Sequence, residues 1–142
     1  MVPINYIAVL ASTFLAVILG SIWYGPLFGK TWTGLMGWSK SEMEKGMADK
    51  KGMMKNYGIQ MLGSFVMAFV LSHALIFAMS YLGTRGISAG LQTGFWNWLG
   101  FVAPVSLTSV LWEGKSWKLW LINNGYNLIT LCAMGVLLSL WK

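Results

Sequence analysis

Acidic residues are scarce. Four Asp and Glu stand against ten Lys and Arg in 142 residues, and charged residues make up only 10% of the chain. A soluble domain carries roughly a quarter, so composition argues against a soluble globular fold. There is one cysteine, Cys132, and one histidine, His73. The first excludes an intrachain disulfide, and together they fall short of a metal or haem ligand set. No metal site and no cofactor are expected. No carboxylate lies in any long apolar run, so nothing orients His73 as a catalytic base. Ser72 and His73 are adjacent and would point about 100° apart on a helix, which is not a nucleophile–base pair. Gly-Lys-Thr and Gly-Lys-Ser occur at 29–31 and 114–116, but a phosphate loop needs a glycine five residues earlier, where Tyr24 and Ser109 stand. No catalytic residue is assigned, and whether the protein is an enzyme stays open.

What the chain has in abundance is apolar sequence, 56% of all residues. Residues 1–29, 56–84, 86–112 and 119–141 carry no Asp, Glu, Lys or Arg. About 20 helical residues cross a bilayer core, so each run is long enough to span once and none twice. The runs do not alternate as barrel strands would; Phe65 to Leu71 is apolar throughout. The sequence predicts an all-α integral membrane four-helix bundle, one transmembrane domain over 1–142. Its helices fall near 4–28, 58–82, 88–112 and 117–141. The first run has no basic segment before it and no small-residue cleavage site, so it reads as a retained helix. No lipid-attachment signal is found at either end.

The charges concentrate in the loop 29–57, which holds Lys30, Lys40, Lys45, Lys50, Lys51 and Lys55. Lys115 and Lys118 fall on the same side, and only Arg85 and Lys142 on the other. The basic side is expected in the cytoplasm, with both termini outside it. The net charge of +6 belongs to this sidedness. Because the lysines are interleaved with Glu42, Glu44 and Asp49, no nucleic-acid partner is expected. Within the loop, Ser39-x-x-Glu42 and Ser41-x-x-Glu44 each fit a capping box. Met43, Met47 and Met54 follow on one face, which predicts a short amphipathic helix on the inner surface. That face reads as a docking surface for the membrane or bundle, or as a soft surface for a partner.

Polar groups inside the runs are the candidate functional residues, because lipid makes them costly. His73 and Asn97 each lie nine residues from the outer end of their helices, about 13 Å down. With Trp96 they are expected to meet in a small aromatic-walled site. Asn123, Asn127 and Thr130 form one stripe on the fourth helix, and Glu113 stands at the inner mouth. Gly86, Gly90 and Gly94 form a four-residue ladder for close helix packing, within the chain or between two copies. Pro104 permits a kink in the third helix. Two similar stretches, Gly29 to Trp32 and Gly114 to Trp117, suggest a parallel repeat of helical hairpins.

Several of these residues also carry a resemblance. They are Asn5-Tyr6, Trp23 to Pro26, Phe28 to Trp32, His73, Trp98 to Phe101 with Pro104, and above all Glu113 to Tyr126. Together they resemble the small bacterial membrane proteins of the uncharacterised-domain family numbered 1761, over roughly residues 4–141. The resemblance implies four membrane helices and a bacterial inner membrane, and it brings no biochemical activity. Two functions follow from the sequence. One is transport or permeation of a small solute or ion past His73, Asn97 and Asn127. The other is a structural or regulatory membrane protein that binds lipid or a partner protein. A homo-oligomer, first of all a dimer, is expected because four short helices enclose little volume.

Overall fold

The computed structural model describes residues 3–141. Asn5 starts α1 (Tyr6–Ile22) by accepting from the backbone N–H groups of Ile7 and Ala8 at 3.0 and 3.1 Å. The helix then widens into a π-helical turn, Trp23–Leu27, closed by the Phe28 N–H on the Trp23 carbonyl at 2.9 Å. Pro26 sits inside that turn. It has no N–H to offer, so the regular ladder is interrupted there in any case.

The charged loop forms more helix than the sequence suggests. α2 (Gly29–Met36) ends on Gly37, whose φ of 72° is left-handed. α3 (Lys40–Ala48) starts on the Ser39–Glu42 capping box, in which the Ser39 N–H donates to Glu42 Oε2 at 2.7 Å and the Glu42 N–H to Ser39 Oγ at 3.3 Å. The Ser39 N–H, and the Ser39 hydroxyl that also donates to Oε2 at 2.8 Å, hold the exposed Glu42 carboxyl below the usual carboxylate range. Asp49 then caps α4 (Lys50–Leu82) through the Gly52 N–H at 3.0 Å. The second apolar helix therefore begins at Lys50 and not near 58. Three lysines ride on its first turns, where they are exposed. In place of one surface helix the loop carries α2, α3 and the start of α4.

The third apolar run is not one helix. α5 (Gly86–Asn97) passes into a second π-helical turn, Trp98–Val102, then into α6 (Ala103–Ser106) and α7 (Thr108–Leu111). Pro104 again removes a donor, and the Ser106 and Ser109 hydroxyls lie 2.9 and 2.8 Å from the Ala103 and Ser106 carbonyls. α5 alone is about 18 Å long, short of a bilayer core. α8 (Trp117–Leu140) follows a turn at Gly114 and is capped by Ser116. Among the described residues the fold is thus all-α, and three helices are long and apolar enough to cross a membrane: Tyr6–Leu27, Lys50–Leu82 and Trp117–Leu140.

The packing is that of a chain whose solvent is lipid. Small residues face inward: Ala8, Ser12 and Ala16 on α1, Ser64 and Ala68 on α4, Ala89 and Gly90 on α5. Large ones face outward, such as Leu10, Phe14 and Ile18 on α1 and Leu62, Val66 and Val70 on α4. Lipid supplies no hydrophobic drive between helices, so close backbone approach supplies dispersion contact instead. The tightest approach is α5 on α8. A Cβ placed on Gly90 would strike the Gly135 backbone, and one on Gly94 would lie 2.6 Å from the Leu131 carbonyl oxygen and 2.7 Å from Cys132 Cα. Gly86 has no part in this contact. It has a φ of 59° at the start of α5, and an added Cβ would meet nothing.

Candidate functional site

Side-chain hydrogen bonds between sequence-distant elements gather on α8, mostly on its inner half. Trp23 and Trp98, each the first residue of a π-helical turn, donate their indole N–H groups to the carbonyls of Ile122 and Asn124 at 3.0 and 3.1 Å. Asn123 Oδ1 accepts from the Tyr24 hydroxyl at 3.0 Å and from Trp32 Nε1 at 3.1 Å. Asn124 is buried, its Oδ1 lying 3.0 Å from the Ser106 hydroxyl, which itself accepts from Trp120 Nε1 at 2.9 Å. Tyr126 donates to the Ala16 carbonyl at 2.9 Å. Gly20 and Gly125 make room for this lattice: a Cβ on Gly20 would sit 3.1 Å from the Tyr126 oxygen, and one on Gly125 would sit 3.1 Å from the Trp23 ring.

Beside the lattice lies a cavity of about 590 Å³ between α1 with its π turn, α4 and α8. Tyr24, Tyr57, Gln60, Asn123, Tyr126 and Asn127 line it, and none of its lining residues is charged. Asn127 is ten residues along α8 from Trp117, about 15 Å, so the cavity reaches toward the middle of the apolar layer. A second cavity, of about 550 Å³, lies at the other end of the same three helices. Asn5, Ala8, Ser72, Leu75 and Leu138 line it, and among the described residues Arg85 is the charged one there.

The residues singled out by sequence fall in different places. Asn123 and Asn127 border the inner cavity. Thr130 is fully buried one turn further on, and its hydroxyl makes no bond to its own helix backbone but lies beside that of Tyr126. His73 and Asn97 are not hydrogen-bonded to each other. His73 Nδ1 lies 2.8 Å from the Phe69 carbonyl of its own helix, so Nδ1 carries the proton, and its ring sits edge-on to Phe69. Asn97 donates to the Thr93 carbonyl at 2.8 Å, also within its own helix. Neither borders a described cavity. Trp96 is 62% exposed and turned outward beside Phe95. Glu113 is exposed in the turn before α8. Among the described residues no three of His, Cys, Asp and Glu come together.

The methionine face is also rearranged. Met43 and Met47 line a hollow of about 540 Å³ with Trp38 and Met53. Met54 is turned away and 75% exposed, because the break at Asp49 resets the helical phase. Gly29 to Trp32 lies inside α2, whereas Gly114 to Trp117 is a turn leading into α8. The feature that does recur is Trp-x-Gly at the head of each π turn, Trp23-Tyr24-Gly25 and Trp98-Leu99-Gly100. That pattern was missed from sequence, and Gln60 with it; the recurrence of Trp-x-Gly was the available signal.

No curated protein and no solved structure matches the chain. A family match covers residues 7–139, nearly the whole length, and the chain belongs to the family described as protein of unknown function, DUF1761.

Proposed function

We propose that this is a four-span bacterial inner-membrane protein, with the broken run 86–111 as its third span, that passes a small polar solute along the seam between α1, α4 and α8. The observation that carries the reading is the pair of cavities at opposite ends of that one seam. Uncharged hydrogen-bonding side chains line the inner one, which suits solute binding better than lipid packing. The lysine count puts the inner cavity on the cytoplasmic side and both termini outside. One chain encloses the seam, so the reading needs no second copy.

Cysteine accessibility in proteoliposomes tests it. In a Cys132→Ala background, Asn127→Cys should react with an impermeant thiol reagent only from the cytoplasmic face, and Ser72→Cys only from the other. Reagent bound at Asn127→Cys should stop solute flux. An Asn127→Cys thiol that reacts from neither face would refute the reading.

The hollow lined by Met43, Met47, Met53 and Trp38 favours the rival reading, a regulatory membrane protein that binds an apolar partner at its inner surface. Met43→Gln with Met47→Gln separates the two, since transport requires flux to survive both changes.

A further inference from the structure

Resting on the transport reading, we infer that Ser12, Ser64 and Thr130 form the selective layer between the two cavities, and that the solute is a small uncharged molecule that both donates and accepts hydrogen bonds. All three hydroxyls are buried, with residue exposures of 0%, 1% and 0%, and none bonds its own helix backbone; Ser12 and Ser64 have no partner at all, and Thr130 meets only the Tyr126 hydroxyl, which itself donates to the Ala16 carbonyl. Other hydroxyls on these helices do not behave this way. Thr13, Ser21, Ser72 and Ser139 all donate to carbonyls of their own helices at 2.7–3.0 Å. Such back-bonding is the ordinary resting state of a helical Ser or Thr. Three that forgo it keep their hydrogen-bonding capacity free, although a buried polar group without a partner is destabilising.

Their positions connect the cavities. On α8, Asn127 borders the inner cavity and Leu138 the outer, and Thr130 and Met134 lie between them on the same face. On α4, Gln60 borders the inner cavity and Leu75 the outer, with Ser64, Ala68 and Leu71 between at spacings of three and four. On α1 the row is Ala8, Ser12, Ala16 and Gly20, again from outer to inner. Ser64 lies about 6 Å and Thr130 about 4.5 Å outward from the inner cavity's end, and Ser12 about 6 Å inward from the outer cavity's. Thr93, another buried hydroxyl without a partner, is on α5, which lines neither cavity.

The layer also indicates the charge of the solute. Ser12, Ser64 and Thr130 sit among Ala16, Ala68 and Met134, with no charged group to balance an ion. An ion there would lose its hydration against three neutral hydroxyls, whereas a neutral solute needs only its hydrogen bonds replaced. Arg85 on the outer cavity further disfavours cations. Small amides and polyols fit this description, and urea and glycerol are suitable probes.

Stopped-flow light scattering on proteoliposomes gives the test. Wild-type protein should accelerate urea or glycerol entry and leave chloride and sodium at the level of empty vesicles. Thr130→Val and Ser64→Ala should each lower that entry about tenfold, the factor expected for one hydrogen bond lost at the barrier. Ser64→Ala should melt no lower than wild type, because it removes an unpaired polar group. Thr130→Ser keeps the hydroxyl and should retain flux. Unchanged flux in Thr130→Val and Ser64→Ala, or equal loss in Thr130→Ser and Thr130→Val, overturns the layer while leaving transport intact. Chloride entry as fast as urea overturns the uncharged class. Wild-type protein that passes none of the four probes refutes the transport reading itself.

Discussion

Replacing Gly94 with alanine adds one methyl group where α5 crosses α8. That methyl would lie 2.6 Å from the Leu131 carbonyl oxygen and 2.7 Å from Cys132 Cα, whereas ordinary contact begins at 3.4 Å. Both obstacles are backbone, so no side chain can turn away, and the helices must separate by about 0.8 Å at this point. Overpacking of this kind costs about 1–3 kcal/mol. Alanine's better helix propensity returns about 1 kcal/mol at most. Gly63 on α4 is the internal control: it is exposed, and an added Cβ would meet nothing within 4 Å. There only the propensity remains, so Gly63→Ala should stabilise by about 0.5–1 kcal/mol. The two substitutions are chemically identical and should differ in sign. Unfolding in mixed detergent–lipid micelles, followed by tryptophan fluorescence, measures both. A Gly94→Ala protein stabilised as much as Gly63→Ala would mean that α5 and α8 do not approach this closely, and the reasoning about small residues would fail with it.

Trp23→Phe removes the bond to the Ile122 carbonyl but keeps most of the ring, so it should destabilise by about 0.5–1.5 kcal/mol in the same unfolding assay. Asn124→Leu removes a buried amide and strips a partner from half-buried Ser106, and should be worse, about 1–3 kcal/mol. His73→Leu should leave solute flux within about twofold of wild type, since His73 bonds inside its own helix and borders neither cavity. The Glu42 capping box should respond to acid. Its carboxyl is held below the ordinary range by the Ser39 N–H and hydroxyl, so the stability it adds is complete above that range. It is lost as pH falls through the lowered folded-state value. Protection of the Met43 amide, bonded to the Ser39 carbonyl at 3.1 Å, should therefore hold at neutral pH and fall only in acid, as read by hydrogen exchange.

The three long apolar helices were legible because length and absence of charge are the whole signal a bilayer requires. The Ser39–Glu42 cap was legible because it is local. The break in the third run was legible only as Pro104. Nothing in composition distinguishes five π-helical residues from five α-helical ones, and nothing in the sequence marks Trp23, an interfacial anchor by position, or Trp98, too deep for one, as a donor to α8. Depth was computable along each helix from its rise, which is why His73 and Asn97 were expected at one level. Rotation about the helix axis was not, and a short connection does not set it. His73 and Asn97 could also satisfy themselves on carbonyls four residues back without meeting anything. Thr130 belonged to a stripe the sequence did display. Its counterparts Ser12 and Ser64 were hidden among the many small residues that pack membrane helices.

The distribution of hydrogen bonds distinguishes the three walls of the seam. α8 is tied to α1 at both ends: Asn5 reaches the Trp141 carbonyl at 3.4 Å, and Trp23, Tyr24 and Tyr126 join the two helices further in. The third run is tied to α8 by Trp98 and Ser106, and by the glycine contact. Among the described residues α4 makes no side-chain hydrogen bond to any other helix; the Ser72 and His73 bonds stay inside it. It is held by Ser64, Ala68, Leu71 and Leu75 packing on small residues opposite, and such contacts are short-ranged and non-directional. Displacing α1 or the third run from α8 breaks several directed bonds, whereas displacing α4 breaks none. α4 also carries Gln60, Ser64 and Leu75, which border the inner cavity, the closed layer and the outer cavity in turn. In the transport reading, then, the wall that moves is α4, sliding against a frame of α1, α8 and the third run that stays bonded throughout.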